Sequence, residues 1–451
     1  MVLAGACALL PGLAQTDPRL KRASRKPERS GWVQVHLEGS PAEIGFQHGT
    51  LLAREIADTL RIATQEIPHE TKKPWPFFRD AARDQFWPHI ESEYREELQG
   101  IAAGSGQDLW DIVALNLWEE LDDYTEWFHH QHGKRSSAQI AKHGHCSAFA
   151  ATGSYTRGGG VVIGHNDWAS YASGERWNII FDIVPARGYR ILMDGGAGSI
   201  HSGDDFGINS AGLAITETTI EDFHGWDPNG IPEFVRARKA MQYASSINDF
   251  ARIMKDGNDG GYANDWLVAD NKTGEIASLE LGLRNVTLQR TRDGYFASAN
   301  FPINPKLAKQ ETDFDLDNPK LSPNARRVRW EQLMAEEKGR IDVAAGQRFL
   351  ADHYDAYKKR TDPNERTLCG HYDLSPRGDK TSPPFAPEGA VQNKVADSAM
   401  LSRMEFTAAL GHACGLNFIA SRHLQEHPEF TYLRDILNDM LSRPWTLFRA
   451  D

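Results

Sequence analysis

A cysteine thiol is the strongest side-chain nucleophile available near neutral pH once its proton has been taken. One cysteine of this 451-residue chain sits where that chemistry is conceivable. It lies in His145-Cys146-Ser147-Ala148-Phe149, followed nineteen residues after the cysteine by His165-Asn166-Asp167-Trp168. Two arrangements could activate it. A papain-type site draws on a distant His with Asn or Asp, residues this chain has in plenty, but the local Cys-Gly-Ser-Cys-Trp pattern is absent. The other is an N-terminal nucleophile, whose base is its own α-amino group; an ordinary pKa of roughly 7.7–8.0 lets that amine accept a proton. An internal cysteine reaches that state only if the bond before it is cut. The thiol attacks the preceding carbonyl, an N-to-S shift gives a thioester, and water cleaves it. Taken alone, a cysteine flanked by Ser, Ala and Phe reads first as an inert buried thiol.

The elements that would position these residues are strands. After Cys146, strand-like segments fall at residues 147–151, 160–164, 177–184, 189–193, 212–220, 265–269, 275–283, 286–290 and 295–299. Gly158-Gly159-Gly160 and Asn271-Lys272-Thr273-Gly274 supply turns between them. The triple glycine precedes a strand and lacks a following Lys-Ser/Thr, so it is not a phosphate loop. An amphipathic helical block covers 233–256, with Ser246 capping a second helix inside it and Gly257 ending it.

Upstream, residues 21–30 are basic and polar and predict a flexible lead-in, while 32–37 alternates as a half-buried strand does. Ser40-Pro41-Ala42-Glu43 carries a capping box, opening a helix that runs through Ile44, Leu51, Leu52, Ile56 and Leu60. Gly45 and Gly49 on one face of it permit close approach of another element. Further aromatic-rich helices are expected over 75–123. Residues 128–145 are histidine-rich and basic, but no acid or cysteine stands at a ligand-like spacing, so an exposed, protease-sensitive loop is preferred to a metal site. Helices are predicted at 326–337 and 343–353, a loop at 375–389 and alternation at 395–404. This succession predicts a layered α/β fold with largely antiparallel sheets.

Hydrophobic residues at 40% and charged residues at 25% are those of a globular chain, and a net charge of −12 argues against a nucleic-acid binder. No window reaches the roughly 18 apolar residues of a membrane span. The first fifteen residues resemble the back half of a secretory leader without its charged start, giving a leader over 1–20. The triplets Asn271-Lys-Thr and Asn285-Val-Thr are compatible with a secretory route. Cys7, Cys146, Cys369 and Cys414 include no Cys-x-x-Cys pair, so no zinc or dithiol framework is expected. Cys369 and Cys414 could pair in an oxidising compartment or be two inert thiols.

The central stretch, Cys146-Ser147-Ala148 followed by His165-Asn166-Asp167-Trp168-Ala169-Ser170-Tyr171, resembles the phospholipase B-like proteins. So, in order, do residues 202–206 (Ser-Gly-Asp-Asp-Phe), 212–220 (Gly-Leu-Ala-Ile-Thr-Glu-Thr-Thr-Ile), 261–266 (Gly-Tyr-Ala-Asn-Asp-Trp), 298–302 (Ser-Ala-Asn-Phe-Pro) and 373–376 (Asp-Leu-Ser-Pro). The stretch 39–49 and the Asn-Asp-Trp of the central motif are also similar to penicillin-acyltransferase-like cysteine hydrolases, of the same N-terminal nucleophile superfamily.

The resemblance implies an α+β fold of four αββα layers with two stacked, mainly antiparallel sheets. It implies one domain built from two segments, 21–145 ending in a processing loop and 146–451 starting at the nucleophile, which stay associated after self-cleavage. Cys146 would be the nucleophile, His165 would orient the amine or thiol or bind substrate, and Trp168 would line the substrate site. Asp167 matches the acid that holds the terminal amine in the acyltransferase branch, where the phospholipase B-like branch has Thr. Thr219 and Asn264 match the remaining polar site positions, and the Asn264 amide could donate to the oxyanion; Asp204 and Asp205 are taken as structural. The activity implied is hydrolysis of an acyl amide or ester in an acylated lipid, an N-acyl amino compound or a short peptide, with no metal or organic cofactor. Acyl transfer to an amine, or a non-catalytic lipid- or glycan-binding member of the fold, are the alternatives. A secreted, periplasmic or lysosomal protein is expected.

Overall fold

The computed structural model describes residues 17–131, 146–203, 206–380 and 382–451. The expected leader up to residue 16, residues 132–145 of the processing loop and Asp204-Asp205 lie outside the described residues, whereas residues 128–131, expected to open that loop, instead end the helix Leu121–Gln131. The strands are β1 Ser24–Arg25, β2 Val33–Gly39, β3 Ser147–Thr152, β4 Val162–Ser170, β5 Ile179–Pro185, β6 Ile191–Gly195, β7 Phe206–Asn209, β8 Leu213–Thr219 and β9 Asn264–Asp270. They continue as β10 Glu275–Leu281, β11 Val286–Thr291, β12 Gly294–Ser298, β13 Tyr354–Asp355, β14 Arg360–Thr361, β15 Glu388–Asp397, β16 Glu405–Leu410 and β17 Thr446–Arg449.

Two large sheets result, ordered β1-β2-β5-β6-β7-β8-β9-β10-β11 and β12-β3-β4-β15-β16-β17. All their pairings are antiparallel except β2 with β5. Alternation along each strand sorts side chains to two faces. Ala148, Ala150 and Ile163 of the second sheet meet Ile180, Leu192, Phe206 and Leu267 of the first in a dry layer between the sheets. Phe149, Ala151 and Val162 turn the other way, onto Trp330, Leu333 and Phe349.

Helices cover both outer faces. On the nine-stranded sheet lie α1 Pro41–Leu51, α2 Ala53–Thr71, α3 Ser92–Ser105, α4 Leu109–Asn116, α5 Leu121–Gln131, α6 Glu233–Tyr243 and α7 Ile247–Lys255. On the six-stranded sheet lie α8 Ser322–Glu336 and α9 Val343–Leu350. The architecture is the expected αββα sandwich.

Local chemistry explains several of these elements. Ser40 accepts from the Glu43 backbone while the Glu43 carboxylate accepts from that of Ser40, so the predicted capping box exists. Ser246 likewise caps α7. Gly45 and Gly49 of α1 lie against Gly100 and Gly104 of α3, so closely that a Cβ on Gly45 would stand 1.9 Å from the Glu97 carbonyl oxygen.

Other expectations need correction. The predicted continuous helix breaks at Leu52, between α1 and α2. The lead-in at 21–30 is tied down where Ser24 and Arg25 pair with His36 and Val35. The strand expected at 160–164 runs on to Ser170, placing the whole His-Asn-Asp-Trp motif on β4. Asn285, one of the two glycosylation triplets, is buried, with its amide donating to Gln310 and Glu311.

Candidate active site

Cys146 stands one residue ahead of β3 and is 1% exposed. Ser147 pairs with Asn166 across the β3–β4 hairpin, so the residue before it faces Asp167. A separation of twenty-one residues in the chain thus becomes a cross-strand contact, with the Cys146 thiol donating to Asp167 Oδ1 at 3.4 Å. The backbone of Cys146 is held at both ends. Its N–H donates to Asn300 Oδ1 at 2.9 Å, and its carbonyl accepts from Arg326 Nη1 at 2.5 Å.

Asn300 joins the two sheets at this point. It has a left-handed backbone (φ 69°), a conformation that Asn tolerates better than most residues. Its Nδ2 donates to the Thr219 carbonyl at 2.9 Å, and its N–H donates to Thr218 Oγ1 at 3.3 Å. The Arg326 guanidinium, fully buried, also donates to Asn300 Oδ1 (2.9 Å) and Ser147 Oγ (3.2 Å). Its Nε donates to Ser322 Oγ one helical turn earlier, and its flat face stacks on the Trp168 indole at 4.4 Å. Burial lowers the pKa of this guanidinium.

Asp167 shares the inter-sheet face with His165, since alternate residues of a strand point the same way. Burial raises the Asp167 carboxyl to about 6, although Lys394 and the Cys146 thiol pull it down. Lys394 on β15 pairs with Asp194 on β6 at 2.6 Å; both side chains are fully buried and bridge the sheets behind Asp167. His165 pairs with Ala148 and Lys394, one step deeper into the sheet than Cys146. Burial, and then Lys394 beside it, drives its pKa well below the ordinary value, so the ring is neutral.

Trp168 points to the opposite face of β4. Its indole N–H donates to Asn166 Oδ1, which also accepts from the Ser147 backbone. The motif is therefore split by strand alternation, with Asp167 and His165 between the sheets and Asn166 and Trp168 toward the outer layer.

Thr219 and Asn264 are opposite each other where β8 and β9 begin to diverge. Thr219 Oγ1 and both polar atoms of the Asn264 amide are buried with no hydrogen-bond partner among the described residues. Leaving such a group unpaired costs about 1–3 kcal/mol, which makes these atoms candidates for a ligand. Because Asn300 holds the Thr219 carbonyl and the Cys146 N–H together, the pair belongs to the same constellation as the thiol.

A crevice opens over it. One lobe, with an open volume of about 420 Å³, is walled by Glu66, Glu70, Trp118, Glu119, Asp167 and Trp168. A second of about 520 Å³ reaches Thr219 and shares Glu70, Trp118, Glu119 and Tyr262. Burial, reinforced by neighbouring carboxylates, raises the Glu70 and Glu119 pKa values well above the ordinary range.

All six residues singled out in the sequence thus occur in or beside one site, although His165 sits a layer deeper. Asn300 and Arg326 were not foreseen as site residues. Asn300 lay in a recognised block to which no role was attached. Arg326 carried a signal of its own: it occupies the stripe of α8 that also holds Ser322, Trp330 and Leu333, where a charge is anomalous.

Comparisons with known proteins place the chain. Phospholipase B-like 1 from Homo sapiens is 26% identical over 378 residues, 73% of this chain and 64% of that protein. The 40 kDa form of acyl-coenzyme A:6-aminopenicillanic-acid-acyltransferase from Emericella nidulans is 28% identical over 231 residues, 50% of this chain and 57% of that protein. The chain thus spans about three fifths of the length of these two relatives. Among solved structures, a variant of conjugated bile acid hydrolase from Clostridium perfringens aligns with a TM-score of 0.35 at 10% identity, covering 59% of this chain and 89% of that one. Penicillin V acylase from Agrobacterium tumefaciens gives 0.33 at 13% identity, covering 59% and 83%. The family model described as Phospholipase B matches residues 77–441, four fifths of the sequence, and the chain belongs to the phospholipase B family.

Proposed function

We propose that the protein is a self-processed cysteine hydrolase that cleaves an acyl amide or ester bond through a thioester. Scission before Cys146 would turn its N–H into an α-amine beside Asn300 Oδ1, with the thiol of the same residue on the Asp167 carboxylate. The amine takes the thiol proton as sulfur attacks the acyl carbon. Asn264 Nδ2, buried without a partner among the described residues, donates to the oxyanion. The leaving amine or alcohol receives the proton from the α-ammonium, and water, deprotonated by the same amine, hydrolyses the thioester. His165 stays neutral and supports the strand face, and Trp168 with Arg326 fixes the wall beside the thiol.

The observation that carries this reading is the direct contact of the Cys146 thiol and backbone N–H with a carboxylate and an amide oxygen. A thiol buried only for packing has no need of the carboxylate, although a buried backbone N–H takes an acceptor in any fold. The two segments would remain together after scission, because β2 lies inside the nine-stranded sheet, paired with β5 from the other side of the cut. The indoles of Trp118 and Trp168 around the crevice favour a substrate with a positive group near its acyl bond, as in an aminoacyl lipid or a choline ester, whose charge would draw the raised Glu70 and Glu119 acids toward ionisation. Lysosomal, periplasmic or secreted placement fits this reading.

Incubating purified protein with an acylated choline lipid and an N-acyl amine, with Cys146→Ala as control, tests it. The account expects released acid only from the cysteine-containing chain; equal release from the Ala variant defeats it. Acyl transfer is the second reading, favoured by the Emericella nidulans relative. Adding hydroxylamine as acceptor separates the two, since a transferase diverts most of the acyl group into hydroxamate.

A further inference from the structure

Away from the crevice, three stretches distant in sequence bring two imidazoles and two thiols to one point. His353 follows α9, Cys369 and His371 flank Gly370, and Cys414 lies in the turn after β16. One ligand-capable atom from each lies within 4.8 Å of all the others. His353 Nε2 is 3.2 Å from His371 Nε2, and Cys369 Sγ and Cys414 Sγ are 3.5 and 3.6 Å from that same nitrogen. Both cysteines are free thiols, so the disulfide considered from the sequence is not formed.

These separations have a geometric meaning. Zinc binds nitrogen at about 2.0–2.1 Å and thiolate sulfur at about 2.3 Å with tetrahedral angles. Two nitrogen ligands then stand about 3.3 Å apart, and a nitrogen and a sulfur about 3.6 Å apart. The observed edges, 3.2, 3.5 and 3.6 Å, are those of such a tetrahedron. Hydrogen bonding alone accounts for them poorly, because a neutral His371 Nε2 has one proton or one lone pair for three close neighbours.

We propose that His353, Cys369, His371 and Cys414 form a closed structural site for a tetrahedral thiophilic cation, zinc foremost. Two sulfurs and two imidazoles select zinc over harder cations, and four protein ligands leave no open position for catalysis. Binding balances as one Zn²⁺ taken up and two thiol protons released. The surroundings fit a supported site: the Asp373 carboxylate lies 3.5 Å from His371 Nδ1 and accepts from the Tyr171 hydroxyl at 2.7 Å, while the His412 ring lies 3.9 Å from that of His371, tilted by 32°.

The site also has a task. Leu368, before Cys369, accepts from Asn166 Nδ2 at 2.6 Å. Gly370, after it, packs so tightly on Trp168 that a Cβ would sit 2.3 Å from the indole. The cation would therefore clamp the segment that holds Asn166 and Trp168, directly behind Cys146. The sequence concealed it because the spacings 353, 369, 371 and 414 match no short metal motif.

The test is elemental analysis of full-length protein produced with added zinc and purified without chelator. About one zinc per chain is expected, retained in Cys146→Ser and reduced at least tenfold in Cys369→Ser and Cys414→Ser. Should those variants fail to fold, exchange of cobalt into the unaltered protein keeps the question open to refutation: visible ligand-field and thiolate charge-transfer bands of tetrahedral cobalt are expected. Less than a tenth of a metal ion per chain, octahedral cobalt, or a Cys369–Cys414 disulfide in the mass map of folded protein would each overturn the proposal.

Discussion

Replacing Asp167 by Asn keeps the outline of the side chain and removes its charge, which should move stability and function in opposite directions. The buried carboxyl titrates at about 6 against an ordinary 3.8, burial being the main cause. Between those values the folded chain holds a proton that the unfolded chain has lost. Stability is therefore greatest with Asp167 protonated and falls as pH rises through that window. The full difference, about 3 kcal/mol, is reached above pH 6. Asn never ionises, so Asp167→Asn should be more stable than the parent at about pH 8 and equal or somewhat less stable at about pH 4. New amide hydrogens lacking partners discount the gain to about 1–3 kcal/mol. Thermal melts at the two pH values check this, best in a Cys146→Ala background where both chains stay uncut. Meanwhile the thiol loses the anionic acceptor that Asp167 supplies, and scission and turnover should drop by about 10²-fold or more. The parent's scission rate should fall on acidification with a midpoint near 6. Equal destabilisation at both pH values, or a variant that cuts itself at the parent's rate, would refute the reasoning.

Other changes should be as diagnostic. Arg326→Lys keeps a charge but loses the fork that reaches Cys146, Ser147 and Asn300; a loss of about 3 kcal/mol in melting experiments and scission slowed at least tenfold are expected. Asn264→Ala should lower kcat by about 10²–10³ with little change in KM, as loss of an oxyanion donor does. Thr219→Val removes a buried unpaired hydroxyl and should raise the melting temperature while impairing turnover. Gly45→Ala places a methyl 1.9 Å from the Glu97 carbonyl oxygen, so α1 and α3 must part, at a cost of about 3 kcal/mol in denaturant unfolding.

Much of this was legible in the chain because the signals were local. The capping box at Ser40, the glycine pair at Gly45 and Gly49, and the strand-like segments after Cys146 each depend on neighbours a few residues away. What escaped depends on distant partners. Asn300 and Arg326 acquire meaning only when β12, β3 and α8 converge, and the strand pairing that sets Cys146 against Asp167 cannot be read from spacing. The short strand β16 follows from pairing with β15, and β17 from pairing with β16, not from strong alternation of their own. The absence of a Cys-x-x-Cys pair argues against a zinc framework along the chain, yet tertiary folding gathers His353, Cys369, His371 and Cys414 from three separate segments. A motif test sees only ligands that are close along the chain.

The central claim is that Cys146 acts as a free N-terminus. Intact-mass analysis and N-terminal sequencing of active protein test it most directly. The account predicts a catalytic chain that begins Cys-Ser-Ala-Phe and disappears in Cys146→Ala. Fully active protein in which the bond between His145 and Cys146 remains whole would contradict it.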